Sequence, residues 1–347
     1  MAISALPARG VAGATAPTAP RWRCAAVTFT KWWESWCRMT ERLELVLYHV
    51  GGAGGYGVLD QVMVPHPEIC TLIVFEARDD AKDREEVAQL RKKGVNAFLV
   101  KACVADKMGA ARFFVNTYLQ SSSMLRPAPA MLNEHVGVYL DTPLIKEWGE
   151  VAVCDQEIEV EAITLEAFMA AGGPPPDFIS LDAQGMDVKI LRGVGPRLDH
   201  VLGVCHESAF EPVYEGQETF GAASALLEPL GFRLADLLGP QYWHPGPAFG
   251  RGFLTVADPL WLRRVGRIES VMDCIKGAAL AFPLGHLSYA YMLMEKALVL
   301  DEVETMQVAT AYPELLELVD AVERHLPRYR QDNKWLAQHI KLEWVQP

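Results

Sequence analysis

The most constraining stretch of this chain is an apolar run that ends abruptly at a carboxylate, within residues 178–193 (FISLDAQGMDVKILRG). The run predicts a buried strand that delivers Asp182 to its C-terminal end, and Gln184 and Gly185 predict a tight turn into an amphipathic helix. In open α/β sheets, ligands bind just outside the carboxyl ends of the strands. The functional question is therefore which other residues reach that edge.

Strand candidates alternate with helical segments over most of the chain. The candidate strands lie at residues 43–50, 71–76, 97–104, 178–182, 201–207, 232–237 and 253–256. This alternation predicts a doubly wound, mostly parallel α/β sheet. Residues 263–347 carry only helical patterns, which predicts an all-helical C-terminal extension.

The chain divides into three predicted parts. Residues 1–38 are rich in Ala, Pro and Arg and lack the continuous apolar core of a secretion signal, so we expect a disordered leader. A catalytic domain follows at residues 39–262, and the helical extension occupies residues 263–347. Residues 277–294 contain no Asp, Glu, Lys or Arg, but Pro283 and Gly285 interrupt them, which favours a helical hairpin over a membrane span. We expect the extension to pack on the catalytic domain or to form a dimer surface.

The charge and the cysteine and histidine patterns exclude several functional classes. A net charge of −12 argues against sequence-independent nucleic-acid binding, which needs clustered Lys and Arg. The seven cysteines include no CxxC pair, and the nine histidines show no HxH or HxxxH spacing. We therefore expect no metal site and a reducing, cytoplasmic compartment.

Two features near the N-terminal side predict a nucleotide-type ligand. In the cluster GGAGGYG at residues 51–57, Gly52, Gly54 and Gly57 satisfy GxGxxG between a strand and a helix, where glycine lets a nucleotide approach the backbone. A flexible glycine turn is the alternative. Glu76 ends the second strand, where a carboxylate can accept hydrogen bonds from both hydroxyls of a ribose and would repel a 2′-phosphate. Its alternative role is to stabilise a helix N-terminus.

Three further residues reach the same predicted edge. A buried carboxylate is costly without a partner, so we expect Asp182 to face a cleft. There it would orient a cofactor amine, accept a hydroxyl proton or act electrostatically near a sulfonium. His206 and Glu207 end the fifth strand, where such a pair can transfer protons. For His206, a simple hydrogen-bonded role in a partly buried strand is the commoner outcome.

Several consecutive segments resemble the FkbM-type family of S-adenosylmethionine-dependent methyltransferases. They are DFISLDAQGMDVKILRGVG at residues 177–195, the segment 201–237 with its EPVYEGQ motif, the segment 100–115 and the serine loop SSSML at residues 121–125. The resemblance covers roughly residues 43–262. It implies a seven-stranded class I methyltransferase sheet whose last strand is antiparallel.

The resemblance also implies a cofactor, a reaction and roles for particular residues. The cofactor is S-adenosylmethionine; Gly51, Gly52, Gly54 and Gly55 would pass beneath it, Glu76 would bind its ribose, and Asp182 would lie near the methyl group and the acceptor. The implied reaction is O-methylation of a small molecule or a sugar, with Asp182, His206 and Glu207 as candidate bases. An NAD-dependent oxidoreductase and a catalytically inactive binding or assembly protein remain as alternatives.

The chain departs from the family pattern at three positions. His49 stands where the family has an acid before its cofactor loop, and Ser180 stands where it has a lysine before the strand-four acid. Asp187 replaces a glutamate. His49 bears directly on how the amino-acid end of a cofactor is held.

Overall fold

The structure is a computed structural model that describes residues 43–51, 55–77, 81–128, 152–244, 252–309 and 315–317, and the backbone of residues 136–137 and 146–147. The predicted leader at residues 1–38 lies outside the described residues. Gly52 and Gly54 of the glycine cluster also lie outside them, whereas Gly51 and Gly55 are described.

The described residues form one large sheet of eight strands. Its members are β1 (Leu45–Val50), β2 (Cys70–Glu76), β3 (Asn96–Lys101), β9 (Phe178–Leu181), β10 (Gly203–His206), the two-residue β11 (Ser208–Ala209), β12 (Phe232–Trp243) and β13 (Phe253–Arg263). The seven longer strands lie in the order β3-β2-β1-β9-β10-β13-β12. Only β13 is antiparallel to both of its long neighbours, so the expectation of a mostly parallel sheet with an antiparallel last strand is confirmed.

Five further short or peripheral strands lie between β3 and β9. They are β4 (Cys103–Val104), β5 (Gly109–Asn116), β6 (Val136–Gly137), β7 (Lys146–Glu147) and β8 (Cys154–Ile163). β4, β8 and β5 form a separate three-stranded sheet, and β6 pairs with β7. The strand predicted at residues 97–104 is thus two strands, because the chain leaves the main sheet after Lys101 and enters the smaller one at Cys103.

Helices cover both faces of the main sheet, as a doubly wound fold requires. The first face carries α1 (Val58–Met63) and α2 (Ala81–Lys92), and the second carries α3 (Leu165–Ala170), α4 (Asp187–Arg192) and α5 (Phe220–Leu227). Adjacent residues of β1 point to opposite faces: Leu47 packs with the first set and Tyr48 with the second. The sheet is therefore buried on both sides, which explains its near-continuous apolar strands.

The C-terminal extension packs on the first face, beside α1 and α2. It comprises α6 (Val271–Ala281), α7 (Leu287–Leu300) and α8 (Glu302–Ala309). Tyr291 and Met294 of α7 share one apolar cluster with Leu260 and Leu262 of β13. The helical hairpin is confirmed, and within the described residues no helix has the length and apolar character to cross a membrane.

A buried ion pair joins this extension to the sheet. Lys276 Nζ of α6 lies 2.9 and 3.0 Å from the two carboxylate oxygens of Asp177, just before β9. Asp177 also accepts a hydrogen bond from the backbone N–H of Val46, at 2.8 Å. Burial raises the pKa of Asp177, and the charge of Lys276 opposes that shift.

The hairpin β12–β13 is much longer than the predicted strands at residues 232–237 and 253–256. The Pro- and Gly-rich sequence at residues 239–252 predicted a loop, yet the pairing continues from Phe232 opposite Arg263 to Trp243 opposite Phe253. Register shifts interrupt the ladder at several points along β12. Such irregularities accommodate residues that a regular ladder excludes, so the sequence signals for strand ends were wrong here.

Candidate functional site

Four of the predicted site positions lie side by side at the carboxyl edge of the parallel strands. The backbone N–H of Gly51 donates to the carbonyl of Phe75, which places Gly51 beside Glu76. The N–H of Asp182 donates to Val50, and the N–H of Glu207 donates to Leu181. The order along the edge is therefore Glu76, Gly51, Asp182 and Glu207, at the spacing of neighbouring strands, about 4.8 Å.

Gly51 makes the closest backbone approach at this edge. Its φ is +98°, and a Cβ atom built there would lie 2.0 Å from the carbonyl oxygen of Asp182. Only glycine fits a position with both restrictions. Gly55, at φ +94°, has no heavy atom of the described residues within 4 Å of its Cβ position. A glycine backbone beside a strand end fits a nucleotide-type ligand.

Glu76 is buried at the end of β2, with 6% of its surface exposed. Its carbonyl accepts a hydrogen bond from Ala102 at 3.0 Å, which fixes the backbone at the strand end. The backbone of Glu76 lies beside Gly51 at the carboxyl edge of the sheet.

Asp182 and Glu207 are joined by a single side-chain amide. Nε2 of Gln184 donates to Oδ1 of Asp182 at 2.7 Å and to Oε2 of Glu207 at 3.2 Å. Gln184 has φ +50° and is the one non-glycine residue with positive φ among the described residues. Such strained backbone persists only where neighbouring contacts hold it. The contacts of Gln184 must therefore hold its backbone in this conformation.

Two loops hold Gln184 from outside the sheet. The hydroxyl of Ser123 donates to the backbone carbonyl of Gln184 at 2.6 Å. The hydroxyl of Tyr214 lies 2.9 Å from Oε1 of Gln184 and 2.9 Å from the carbonyl oxygen of Ser121, and these two acceptors share its single proton. A Cβ at Gly185 would lie 3.0 Å from the Tyr214 ring, so the ring packs directly on the turn. We call Ser123, Gln184 and Tyr214 the latch.

The EPVYEGQ motif also organises its own loop. Oε1 of Gln217 accepts hydrogen bonds from the backbone N–H groups of Val213 and Tyr214, at 2.8 and 3.2 Å. The serine loop pairs with the same segment, because Ala128 donates to Val213 at 3.0 Å. The two loops therefore form one backbone-linked layer above the strand ends.

Three carboxyl groups around the Gln184 turn, those of Asp182, Asp187 and Glu207, have raised pKa values. Burial is the main cause for Asp182, and the hydrogen bond from Gln184 opposes it. For Glu207, burial raises the pKa well above its usual range, and the charges of Asp182 and Asp187 raise it further. Burial and the charge of Asp182 raise the pKa of Asp187 to about 7. Neighbouring carboxylates in a desolvated place resist simultaneous ionisation.

Asp187 has a local structural task that the sequence did not reveal. Its two carboxylate oxygens accept hydrogen bonds from the backbone N–H groups of Ala183 and Gly185, each at 3.2 Å. The side chain thus closes the turn that carries Gln184. An acid two residues after a Gln-Gly turn was the available sequence signal.

His206 lies apart from the carboxylate pair. It precedes Glu207 by one residue, so its side chain leaves the strand on the opposite face. It is 1% exposed, its Nδ1 lies 3.2 Å from the backbone carbonyl oxygen of Glu207, and burial lowers its pKa to about 4. The structure therefore brings Asp182 and Glu207 together, whereas the side chain of His206 lies on the opposite face of the strand.

His49 and Ser180 form a neutral pair below the glycine loop. They are register partners on β1 and β9, and Nδ1 of His49 lies 3.2 Å from Oγ of Ser180. Burial lowers the pKa of His49 to about 4, although the backbone of Gly51 and Gly55 and the charge of Glu76 oppose the shift. The imidazole is thus uncharged at neutral pH and lies beside the glycines of the edge.

The described residues include no group of three or more His, Cys, Asp or Glu side chains placed to hold a metal ion. The chemistry of the edge is that of one buried carboxylate, Glu76, two partly buried carboxylates, Asp182 and Glu207, a side-chain amide and partly accessible glycine backbone. Such a set can hold a nucleoside through its ribose and can accept a proton from a hydroxyl group.

Comparison with known proteins gives one family match. Residues 106–234 match the family model described as the methyltransferase FkbM domain. The match includes Asp182, Gln184, Glu207 and Tyr214, whereas Gly51 and Glu76 precede it. A search of curated protein sequences finds no match.

Solved structures give distant similarities over most of the chain. A precorrin-6y C5,15-methyltransferase from Geobacter metallireducens is 12% identical, with a TM-score of 0.30, over 72% of this chain and 94% of that chain. A SAM-dependent methyltransferase from Aquifex aeolicus is 12% identical, with a TM-score of 0.27, over 69% of this chain and 98% of that chain. At these scores, the comparisons carry no argument about function.

Proposed function

We propose that this chain, which carries an S-adenosylmethionine-dependent methyltransferase domain of the FkbM family over residues 106–234, methylates a hydroxyl oxygen of a small molecule or a sugar. The observation that carries this proposal is the pair of carboxylates, Asp182 and Glu207, bridged by Gln184 beside the glycine backbone. A hydroxyl becomes a better nucleophile as its proton is removed, and a carboxylate with a raised pKa suits that task near neutral pH.

The proposal assigns the donor to the Glu76–Gly51 side of the edge. Bound S-adenosylmethionine supplies an electrophilic methyl group on a sulfonium. The carboxylate of Glu76 would accept hydrogen bonds from the ribose hydroxyls, and the backbone of Gly51 and Gly55 would pass beneath the ligand. Because Asp182 adjoins Gly51, its carboxylate lies toward the transferred methyl group. Alignment of donor and acceptor provides most of the rate in an in-line displacement.

The departures at His49 and Ser180 are compatible with donor binding. In the family pattern, an acid and a lysine occupy these two positions, which face each other across β1 and β9. Here both partners are neutral, so neither leaves a buried charge without its counterpart. We propose that a neutral His49 replaces the acid at the amino-acid end of the donor.

Calorimetric titration of the full chain with S-adenosylmethionine, and separately with NAD, tests the donor assignment. We expect saturable binding of S-adenosylmethionine and none of NAD. Tight NAD binding without a response to S-adenosylmethionine would instead support the oxidoreductase alternative.

The Glu76→Ala variant tests the ribose contact. Loss of a charged hydrogen-bond acceptor should weaken S-adenosylmethionine binding by about 1–3 kcal/mol. Glu68→Ala is a matched control, because Glu68 is an exposed acid that lies before β2, away from the edge. Equal affinity of wild type and Glu76→Ala would remove Glu76 from the site.

Asp182→Asn tests the acceptor side. Transfer of a radioactive methyl group from S-adenosylmethionine to a panel of hydroxylated small molecules and sugars identifies an acceptor with the wild-type protein. We expect Asp182→Asn to keep its fold and lose about a hundredfold or more in turnover, the scale of a lost general base. Full turnover by this variant would assign Asp182 a structural role.

His206→Gln distinguishes the third predicted base from a structural histidine. Since its ring lies beneath the pair, we expect turnover within about threefold of wild type and some loss of stability. A loss as large as that of Asp182→Asn would place His206 in the proton transfer.

A further inference from the structure

The latch connects loops that are distant in sequence to one side-chain amide. Ser123 lies 61 residues before Gln184, and Tyr214 lies 30 residues after it. Tyr214 is 1% exposed, and its ring packs against Gly185. A buried, packed tyrosine loses little further freedom when its hydroxyl binds, so its hydrogen bond sets the orientation of the amide.

The orientation of this amide decides which atoms face the two carboxylates. With Oε1 of Gln184 held by the Tyr214 hydroxyl, the two N–H groups of Nε2 point toward Asp182 and Glu207. An amide turned the other way would direct its oxygen at both carboxylates, which repels their charged forms. The tyrosine hydroxyl thus selects the arrangement that stabilises negative charge.

The two N–H groups of Gln184 form hydrogen bonds of different length to the two carboxylates. The contact to Asp182 is 2.7 Å and the contact to Glu207 is 3.2 Å, so Asp182 receives the stronger charge-assisted hydrogen bond. Glu207 instead lies near the charges of Asp182, Asp187 and Asp258, all of which disfavour its ionised form. Ionisation of both members at once is costly in so desolvated a place.

We infer that Tyr214 is a positioning residue which, through the amide of Gln184, makes Asp182 and Glu207 hold one proton between them, with Asp182 as the ionised member. This inference rests on the proposed function for its catalytic meaning, since it identifies Asp182 as the base. The acceptor oxygen forms its bond to the methyl carbon, the carbon–sulfur bond breaks with its electron pair left on sulfur, and the acceptor proton passes to Asp182. Glu207 stays protonated throughout the reaction and therefore adds no negative charge beside Asp182.

The test requires no ligand. Carboxyl carbon resonances of Asp182 and Glu207 are followed by NMR over a pH titration of the full chain labelled with ¹³C at Asp and Glu side chains. Asp182→Asn and Glu207→Gln assign the two resonances. We expect Asp182 to ionise first and Glu207 at a distinctly higher pH.

The two assignment variants also test the order of ionisation. In Asp182→Asn, the midpoint of Glu207 should fall by about one pH unit or more, because the neighbouring negative charge is gone. In Glu207→Gln, the midpoint of Asp182 should stay close to wild type, because glutamine resembles the protonated acid. The inference would be overturned if Glu207 ionised before Asp182. It would also be overturned if the midpoint of each carboxyl group were unchanged when the other was substituted.

Tyr214→Phe tests the positioning role itself. The ring and its packing on Gly185 remain, but the hydroxyl that fixes the amide is lost, so the midpoint of Asp182 should rise by about one pH unit. Tyr289→Phe is the matched control, because its hydroxyl also donates to a backbone carbonyl, that of Arg263, far from the edge. An unchanged Asp182 midpoint in Tyr214→Phe would refute the role, since a purely structural tyrosine would lower stability alone.

Gln184→Met is a second test of the same role, which holds even if Tyr214→Phe is unstable. Methionine is similar in size to glutamine but lacks both N–H donors, so the pH midpoint of Asp182 should rise as it does in Tyr214→Phe. Binding of S-adenosylmethionine by Tyr214→Phe should match wild type, because the hydroxyl contacts Gln184 and Ser121, away from the Glu76–Gly51 side proposed for the donor. A wild-type chain that binds no S-adenosylmethionine would refute the proposed function, while the titration order would still decide the proton sharing.

Discussion

Gly51 combines two restrictions that are each unusual for a strand end. Its positive φ disfavours any side chain, and the carbonyl of Asp182 occupies the place that a Cβ would need. The first restriction costs about 1–3 kcal/mol for a non-glycine residue. The second cannot be relieved by a rotamer change, because the clashing atom belongs to the backbone of β9's end.

We therefore predict that Gly51→Ala destabilises the fold far more than Gly55→Ala. Gly55 has a similar φ, and none of the described residues crowds its Cβ position, so Gly55→Ala measures the cost of the backbone conformation without a clash. We expect a loss of more than about 3 kcal/mol in the free energy of unfolding for Gly51→Ala and about 1 kcal/mol for Gly55→Ala. Urea unfolding measures both, and equal losses would show that the close approach to Asp182 relaxes.

The residues at the edge differ in how far the sequence reveals them. Asp182 and Glu207 end apolar runs, and parallel strands bring such ends together, so their proximity follows from the pattern. The latch is different: contacts from Ser123 and Tyr214 to Gln184 depend on the path of two irregular loops. The serine run and the EPVYEGQ motif mark these loops but say nothing about where they meet.

At the scale of elements, the central strands are the most predictable part of the chain. β1, β2, β9 and β10 are buried on both faces, and double burial produces continuous apolar runs bounded by glycine or acids. β12 is buried only at its two ends and is partly or fully exposed between them, its pairing carries register shifts, and Gly239 and Pro240 interrupt its sequence pattern. Its full length depends on pairing with β13, which a local pattern does not contain.

The C-terminal helices illustrate the same limit. Their helical character follows from residues 263–309, because caps and interruptions are local; Ser270 accepts a hydrogen bond from Asp273, for example. Their position on the sheet does not follow from these local signals. The choice between packing on the sheet and forming a separate surface is decided by contacts such as Lys276 with Asp177, which lie 99 residues apart.

Lys276→Met should weaken the attachment of α6 to the sheet. It leaves the buried Asp177 carboxylate without its cation, and breaking one partner of a buried pair costs about 3–5 kcal/mol. The pKa of Asp177 is already raised by burial, and loss of Lys276 raises it further. The folded carboxyl then binds its proton at a higher pH than the unfolded one, so the loss is full above the raised pKa, fades as the pH falls through it, and is gone below the usual pKa of aspartate.

Denaturant unfolding of Lys276→Met at neutral and acidic pH checks this expectation. Lys82→Met is the control, because the Lys82–Glu86 pair is largely exposed and such pairs contribute at most about 0.5 kcal/mol. The double variant Asp177→Asn/Lys276→Met should recover much of the loss, since no buried charge remains. A loss independent of pH would attribute the effect to packing of the lysine stem.

For the whole molecule, the shifted groups make stability depend on pH in two opposing ways. The pKa values of His49 and His206 are lowered to about 4, so their contribution is complete above the usual pKa of histidine and is lost as the pH falls below it. Asp182, Asp187 and Glu207 have raised pKa values, so the folded state holds protons that the unfolded state has released. Their effect is a loss of stability as the pH rises.

Unfolded histidines are half neutral at about pH 6.5 and largely neutral by about pH 7.5. Between about pH 6.5 and 8, the carboxylates therefore increasingly dominate the balance, so the melting temperature should fall as the pH rises. Asp187 completes its change near its pKa of about 7, and Glu207 continues beyond it. The slope in this window is therefore a property of the functional edge, although it is measured on the entire chain.

Scanning calorimetry of wild type and Glu207→Gln across this window makes the last prediction specific. The variant removes the carboxyl with the most strongly raised pKa and one negative charge beside Asp182 and Asp187. We expect a melting temperature that falls by several degrees in wild type and by distinctly less in Glu207→Gln, at about 1.4 kcal/mol per pH unit for each proton released. The control variant Glu228→Gln changes an exposed acid beyond α5, so its melting temperature should depend on pH as that of wild type does. Parallel curves for wild type and Glu207→Gln would mean that Glu207 is already ionised at neutral pH, and the carboxylate pair would then not hold a shared proton.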